Sequence, residues 1–329
     1  MATIGTEYLT LVDRATRLSG EKNNKYRAPA MLVSQTNELL ADLPFVDANQ
    51  GLTHSILQKT GLPTSYWMQL NKGVPSSKSQ SVEVKEGTAV RTALGLADCR
   101  MPNVNELRKD EMVAALESCA QGMASELFYG TASTPEGLIG LATRYGDLSG
   151  GNSQNIISMG GAGSDNSSIW LLGLGRRGVY GVLPEGYGAG TRHEYQGKVP
   201  VTDADGNTYM AERDEYYMAG GIAVEDWRYA VRIANIDVSA VLADPTGSSI
   251  ALINAMIKAM HAVPSLSTAG INFNFYMNRD LRAALDIQST NKSNAYFTSS
   301  EVEGVTRTSF RGIPVRTSDA ILSTESVVS

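Results

Sequence analysis

The chain has 329 residues, 42% apolar and 19% charged, and its 28 Lys+Arg against 34 Asp+Glu give a formal charge of −6. So much apolar material builds at least one sizeable core, and the acid excess excludes binding to nucleic acid through overall charge. Cys99, Cys119 and three scattered histidines supply neither a disulfide framework nor a four-ligand zinc site. The first residues lack the basic-then-apolar pattern of a secretory leader. No run reaches the ~18 consecutive apolar residues of a membrane span. The expectation is a soluble, cytosol-made chain with reduced thiols and no membrane contact.

In chain order, Tyr8, Leu11, Val12, Ala15 and Leu18 recur at helical spacing, and a weaker stripe, Met31 to Leu43, runs into Pro44. These two stripes predict a helical arm that packs on something else. From Leu52 to Ala97 the chain is rich in Thr, Val and Ser, and Ser81-Val82-Glu83-Val84-Lys85 alternates as a strand does. This stretch predicts a long two-stranded excursion with too little apolar surface for its own core, and an isolated hairpin is marginal in water. Asn105 opens the strongest helix, with Leu107, Met112, Val113, Leu116, Cys119, Ala120, Met123 and Leu127 at helical spacing until Gly130.

Past a Gly/Ser/Asn-rich stretch, strands are expected at Ile169–Leu172, Val179–Leu183, Tyr209–Tyr217 and Ile222–Ile236, with Asp205-Gly206 as a hairpin turn. Ser248 or Ser249 is expected to cap a helix carrying Ile250, Ile253, Met256, Ile257 and Met260. Ile271 to Met277 alternates as a strand, Asn278 caps a helix from Arg279 to Gln288, and Gly312 to Arg316 is the last strand. The sum is a mixed α+β chain with long appendages outside its core.

Few strings suggest chemistry. Gly173-Leu-Gly175-Arg-Arg-Gly178 is a formal dinucleotide fingerprint, but the residues after it alternate and contain two glycines and a proline, so the required helix cannot start there. A turn between strands is the better reading, with a nucleotide-binding enzyme as the competing one. Gly160-Gly-Ala-Gly163-Ser lacks the Lys-Ser/Thr of a phosphate loop. In Asp203-Ala-Asp205-Gly206-Asn207 the glycine comes too early for a calcium loop. His54, His193 and His261 have no metal-type spacing. No catalytic, cofactor or metal residue is assigned, and none of these strings calls for an enzyme. The arm and the undercored hairpin call for neighbours to cover them, as in a self-assembling protein.

Leu127-Phe128-Tyr129-Gly130 followed by Pro135-Glu136-Gly137-Leu138-Ile139-Gly140-Leu141, with a hairpin before the helix and Phe310-Arg311-Gly312-Ile313-Pro314-Val315 near the end, resembles the major capsid proteins of tailed phages of the Hong Kong 97 type. Leu70-Asn71-Lys72-Gly73-Val74, Ser77-Lys78-Ser79, Asp226-Trp227-Arg228-Tyr229-Ala230-Val231-Arg232-Ile233-Ala234-Asn235-Ile236-Asp237 and Phe310-Arg311-Gly312-Ile313-Pro314 are similar to capsid proteins of one short-tailed phage group. The likeness covers nearly the whole chain. It implies an N-terminal arm over 1–50, an extended hairpin loop over 51–100, a peripheral domain over 101–240 with a spine helix over 105–129, and an axial domain over 241–329.

The same resemblance implies an icosahedral shell of hexamers and pentamers around double-stranded DNA, assembled in the host cytoplasm. Some such relatives cross-link a hairpin lysine to a neighbour's asparagine, but nothing in this sequence marks the acid catalyst required, so a non-covalent shell is expected. Implied partners are a portal protein at one vertex, a decoration protein, and packaged DNA held non-specifically. A separate scaffolding protein is expected because helical-arm sequence begins within ten residues, where many such relatives carry a long helical scaffold segment. Trp67, Lys72, Lys78 and Lys85 are expected at contacts between subunits. An encapsulin-like compartment shares the fold and is the nearest alternative.

Overall fold

The computed structural model describes residues 35–100, 104–133, 137–187, 190–203, 205–248, 251–291, 297–302 and 305–329. The stripe from Tyr8 to Leu18, together with Pro135-Glu136 and Ser249, lies outside them. In chain order the elements begin with α1 (Glu38–Asp42), β1 (Phe45–Asp47), β2 (Thr53–Gly61), β3 (Gln80–Gly87), β4 (Ala89–Asp98) and α2 (Val104–Tyr129). Next come α3 (Leu141–Arg144), β5 (Ile156–Ser158), β6 (Asn166–Leu174), β7 (Val179–Leu183), β8 (Thr191–Thr202), β9 (Thr208–Val224) and β10 (Ala230–Asp237). The last are α4 (Val238–Ala243), α5 (Leu252–Ala262), β11 (Asn272–Met277), α6 (Arg279–Asn291), β12 (Phe297–Val302), β13 (Val305–Phe310) and β14 (Ile313–Thr317).

Two compact units divide these elements. One contains Val90–Ser125 and Ala189–Ala219; the other contains Thr36–Ala89, Glu126–Gly188 and Gly220–Ser329. The larger unit is built around β6, all of whose residues are buried. Its Ile169-Trp170-Leu171-Leu172 run has no polar face, as befits a strand covered on both sides. β10 pairs antiparallel along one edge, Ala230 with Leu172 through Asp237 with Asn166. β11 pairs antiparallel along the other, Asn272 with Leu174 through Tyr276 with Trp170. β5 lies parallel outside β10, and β14 parallel outside β11, with β13 and β12 beyond it. Val241, Ile253, Met256, Leu281 and Leu285 from α4, α5 and α6 join Ile169, Leu171, Ile233 and Phe275 in one core. Each such side chain contributes about 1.5–3 kcal/mol by leaving water.

The same unit holds a smaller set of strands, with β1 parallel to β7 and β7 antiparallel to the last residues of β9. The hairpin β2–β3 is rooted here. Ile56 is buried with Ala48, Tyr180, Val182 and Ala223.

In the other unit β8 and β9 form a hairpin running from Thr191 opposite Met218 to Thr202 opposite Thr208. Arg108 of α2 clamps it, donating to both carboxylate oxygens of Asp214 at 2.6 Å and to Glu212 at 2.6 Å. Leu107, Cys119, Met123 and Ala124 form the buried stripe of α2, whereas Val113, expected on it, is half exposed.

Several boundaries differ from those expected. Ala89–Asp98 is not part of the hairpin excursion, because its residues from Val90 onward lie beside β9 in the smaller unit. β9 runs unbroken through Gly220-Gly221, and the expected strand over Ile222–Ile236 is interrupted at 225–229. There the Asp226 side chain accepts from the Arg228 amide and tightens a turn. α5 begins at Leu252, and Ser248 does not cap it, since its amide and hydroxyl both bond Asp244 Oδ1. α2 ends at Tyr129, and the next position admits only glycine, because a Cβ on Gly130 would lie 2.1 Å from the Leu138 carbonyl oxygen.

Candidate interaction surface

β2 and β3 pair from Thr53 opposite Gly87 to Gly61 opposite Gln80. Between them residues 62–79 form an irregular loop. The amide of Lys72 meets the Gln69 carbonyl at 3.4 Å, and Asn71 has φ 61, a left-handed conformation that asparagine tolerates in turns. Ser77 Oγ donates to the Thr64 carbonyl at 3.1 Å and ties the two arms of the loop together.

What the loop displays is unusual. Leu62 is 88% exposed, Trp67 96%, Met68 84% and Leu70 89%, with Tyr66 and Val74 also exposed. Single exposed apolar side chains are ordinary, whereas these stand together in one loop. Lys72 and Lys78 are its only charged residues, and both are exposed. Trp67, Lys72 and Lys78 thus share one loop, while Lys85 stands exposed on β3 opposite Ser55, away from them.

The base of the hairpin is fastened by groups the sequence did not single out. Glu86, on the inward-facing side of β3 and 3% exposed, receives two hydrogen bonds from Arg144, at 2.5 and 2.7 Å. Arg144 also donates to the carbonyls of Ile139 and Ile222. His54 Nε2 lies 3.0 Å from the Tyr180 hydroxyl, and burial pushes the Tyr180 pKa up to about 12. Asn49 and Ser55 exchange two side chain–backbone bonds, at 2.8 and 2.9 Å. The one available signal was a carboxylate alternating onto the same face as Val82 and Val84.

The glycine fingerprint is a turn. β6 ends at Leu174, the Gly178 amide bonds the Gly175 carbonyl at 2.9 Å, and β7 begins at Val179. A Cβ at Gly175 would lie 2.2 Å from the Gly270 carbonyl oxygen, and one at Gly178 2.3 Å from that of Gly173. These glycines permit close backbone approach, and no helix N-terminus is present to face a pyrophosphate. At the β8–β9 tip, Asp203 Oδ1 accepts from the amides of Asp205 and Asn207 at 3.1 and 2.7 Å, and Gly206 has φ 85, so the acidic string makes the turn. Among the described residues no group of three or more His, Cys, Asp or Glu could hold a metal ion. Of the histidines, His54 meets Tyr180, His193 meets Asp214, and His261 stands exposed in the last turn of α5.

Residues 21–329 match the family model described as major capsid protein GP7. No curated protein matches the chain. Among solved structures, a chain of bacteriophage Epsilon15 is 29% identical over 100% of both chains, with a TM-score of 0.74. The capsid of bacteriophage JBD30 is 7% identical over 88% of this chain and 92% of its own, with a TM-score of 0.50, a likeness of fold alone. An encapsulin complex of Synechococcus elongatus is 12% identical over 70% and 97%, with a TM-score of 0.45, too distant a likeness to carry an argument.

Proposed function

The chain belongs to the GP7 family of major capsid proteins, and from that premise we propose that its copies tile an icosahedral phage shell as hexamers and pentamers, using the exposed hairpin loop as a principal contact. It is a structural protein of a phage capsid with a mixed α+β fold shared by other phage capsid chains. The observation that carries the assembly reading is the loop itself, since Leu62, Trp67, Met68 and Leu70 lie almost wholly in water in the single subunit. Burying apolar area returns ~25 cal/mol per Å², and association costs several kcal/mol per contact. A shell therefore needs many such contacts acting together.

On this reading residues 1–50 serve as an arm, the hairpin reaches over a neighbour, the chain up to 240 is peripheral, and 241–329 lies toward the capsomer centre. Trp67, Lys72 and Lys78 meet an adjoining copy through the loop, and Lys85 meets it separately from strand β3. A separate scaffolding protein directs assembly in the host cytoplasm, with a portal at one vertex and a decoration protein outside. DNA is enclosed without being read. With a subunit charge of −6, any inward basic patch holds it in a sequence-independent, salt-sensitive way.

Replacing residues 62–79 by an Asn-Gly turn tests the proposal, because Gly61 and Gln80 already pair across the gap. The shortened protein, co-expressed with its scaffold, should give a folded subunit by circular dichroism and no shells by negative-stain microscopy. Trp67→Ala should lower the yield of shells while leaving the subunit's thermal midpoint unchanged. Normal shells from the shortened chain would overturn the loop's role as a principal contact, and failure of the full-length chain to form shells under the same conditions would overturn the shell reading itself.

A further inference from the structure

The hairpin is held very unevenly along its length. At the base, Ile56 is buried in an apolar cluster and Glu86 is locked to Arg144. Two residues further out, Gln58 spans from the hairpin to the body, its Nε2 donating to the Val224 carbonyl at 3.1 Å and the Glu225 carbonyl at 3.0 Å. Both carbonyl oxygens lie within hydrogen-bond distance of the one amide nitrogen. Beyond it, among the described residues, no side chain from Lys59 to Val82 makes a hydrogen bond or ion pair outside the hairpin. Instead a cleft of about 710 Å³ opens between Leu57, Lys59, Thr60 and Leu62 on one side and the 225–229 turn on the other.

The acceptors are fixed while the donor rides on the free-standing element. Val224 pairs with Val179, the Glu225 amide bonds the Gly178 carbonyl at 2.9 Å, and Asp226 caps the turn that follows. At ~3.4 Å per residue, Gln58 sits ~7 Å outward from Ile56 and the end of the strand ~17 Å outward. A small rotation about the base that moves Gln58 is therefore magnified more than twofold where the loop begins.

We propose that Gln58 is a positioning residue, a latch that sets the angle at which the hairpin presents Trp67 and its neighbours to an adjoining copy. The proposal rests on the shell reading for its consequence and on the two carbonyl bonds for its mechanism. Without the latch the base still folds, because Ile56, Glu86 and His54 keep their partners. The outer hairpin then samples a range of angles over the cleft, and neighbouring copies meet at mixed curvature.

The test places nitroxide labels at Ser81→Cys, exposed at the outer end of β3, and Leu242→Cys, exposed on α4, in a Cys99→Ser background with Cys119 left buried. Pulsed electron resonance on the isolated subunit should give one narrow distance distribution. Gln58→Met keeps the side chain's length and removes its donors; Gln58→Glu sets a carboxylate against two carbonyls. Both should broaden and shift the distribution without moving the thermal midpoint, and with scaffold present both should give shells of mixed diameter. An unchanged distribution in both variants would overturn the latch. Failure of the unsubstituted chain itself to form shells would count against the capsid reading, while the distance measurement would still decide the latch.

Discussion

Glu325 and Arg232 form a buried ion pair inside a polar network of the larger unit. They are 3% and 4% exposed and meet at 2.8 Å. Glu325 also accepts from the Tyr129 hydroxyl at 2.5 Å and from Ser168 Oγ, and its amide bonds the Asn166 carbonyl. Arg232 donates in addition to Ser168 Oγ at 3.0 Å and the Tyr145 carbonyl at 2.9 Å, and its guanidinium lies 5.2 Å from the Trp170 ring centroid. Glu325→Ala leaves a guanidinium at the centre of the sheet with no counter-charge, a loss of about 3–5 kcal/mol for a buried pair broken on one side. Stranding the Tyr129 hydroxyl adds ~1–3 kcal/mol at most, and the terms belong to one network and do not sum. Against a total of roughly 5–15 kcal/mol for a folded domain, this is about a fifth or more. Urea denaturation of the isolated subunit, followed by far-ultraviolet circular dichroism, reads the loss directly. Arg232→Met/Glu325→Leu, which removes both charges, should recover most of it. A Glu325→Ala subunit within about 1 kcal/mol of the parent would refute the reasoning, since a lone buried charge cannot be that cheap.

Three further outcomes are expected. Burial alone would raise the Asp214 pKa, but hydrogen bonds from Arg108 and His193 prevail and hold the carboxyl below its ordinary value. The stabilisation is therefore complete above the unfolded value of ~3.9 and is lost as pH falls through the lower folded value. Thermal midpoints of the parent and Asp214→Asn should converge at the acid end and separate above it, and a constant gap would contradict the account. Gly175→Val should destabilise the subunit, because its Cβ would lie 2.2 Å from the Gly270 carbonyl oxygen. Calorimetric titration of the parent with a dinucleotide should give no heat; stoichiometric micromolar binding would reinstate the nucleotide reading.

Periodicity made some elements legible and hid others. The apolar run of β6, the alternation of Phe273 and Phe275 in β11, and the buried stripe of α2 each have one dominant environment, so the pattern betrays the element. β8 is exposed along both faces for its first six residues, Thr191 to Gln196, and offers no alternation to detect. β9 passes through Gly220-Gly221, which reads as a break. The structure requires glycine at 221, because a Cβ there would lie 2.7 Å from the Gly87 carbonyl oxygen.

The exposed loop was legible for the opposite reason, since Trp67 and its neighbours have no spacing that would bury them together. The polar fasteners were not. Glu86 and Arg144 are 58 residues apart, and Arg232 and Glu325 are 93 apart, so the partner of each charge is set by topology. Gln58 could not be singled out at all, as its acceptors are backbone carbonyls, which every residue carries.

The hairpin loop has a last consequence through its ionic character. Between Leu62 and Ser79 it carries Lys72 and Lys78 and no acid, on a chain whose formal charge is −6. Two such tips repel one another, while a tip and the acidic remainder of another copy attract. On the proposed shell reading, this biases encounters away from two-fold, tip-to-tip pairing and toward head-to-tail contacts, the geometry that closes into rings. Added salt weakens that bias over a Debye length of about 8 Å at physiological strength, so nucleation of closed rings should slow as ionic strength rises, even where finished contacts persist.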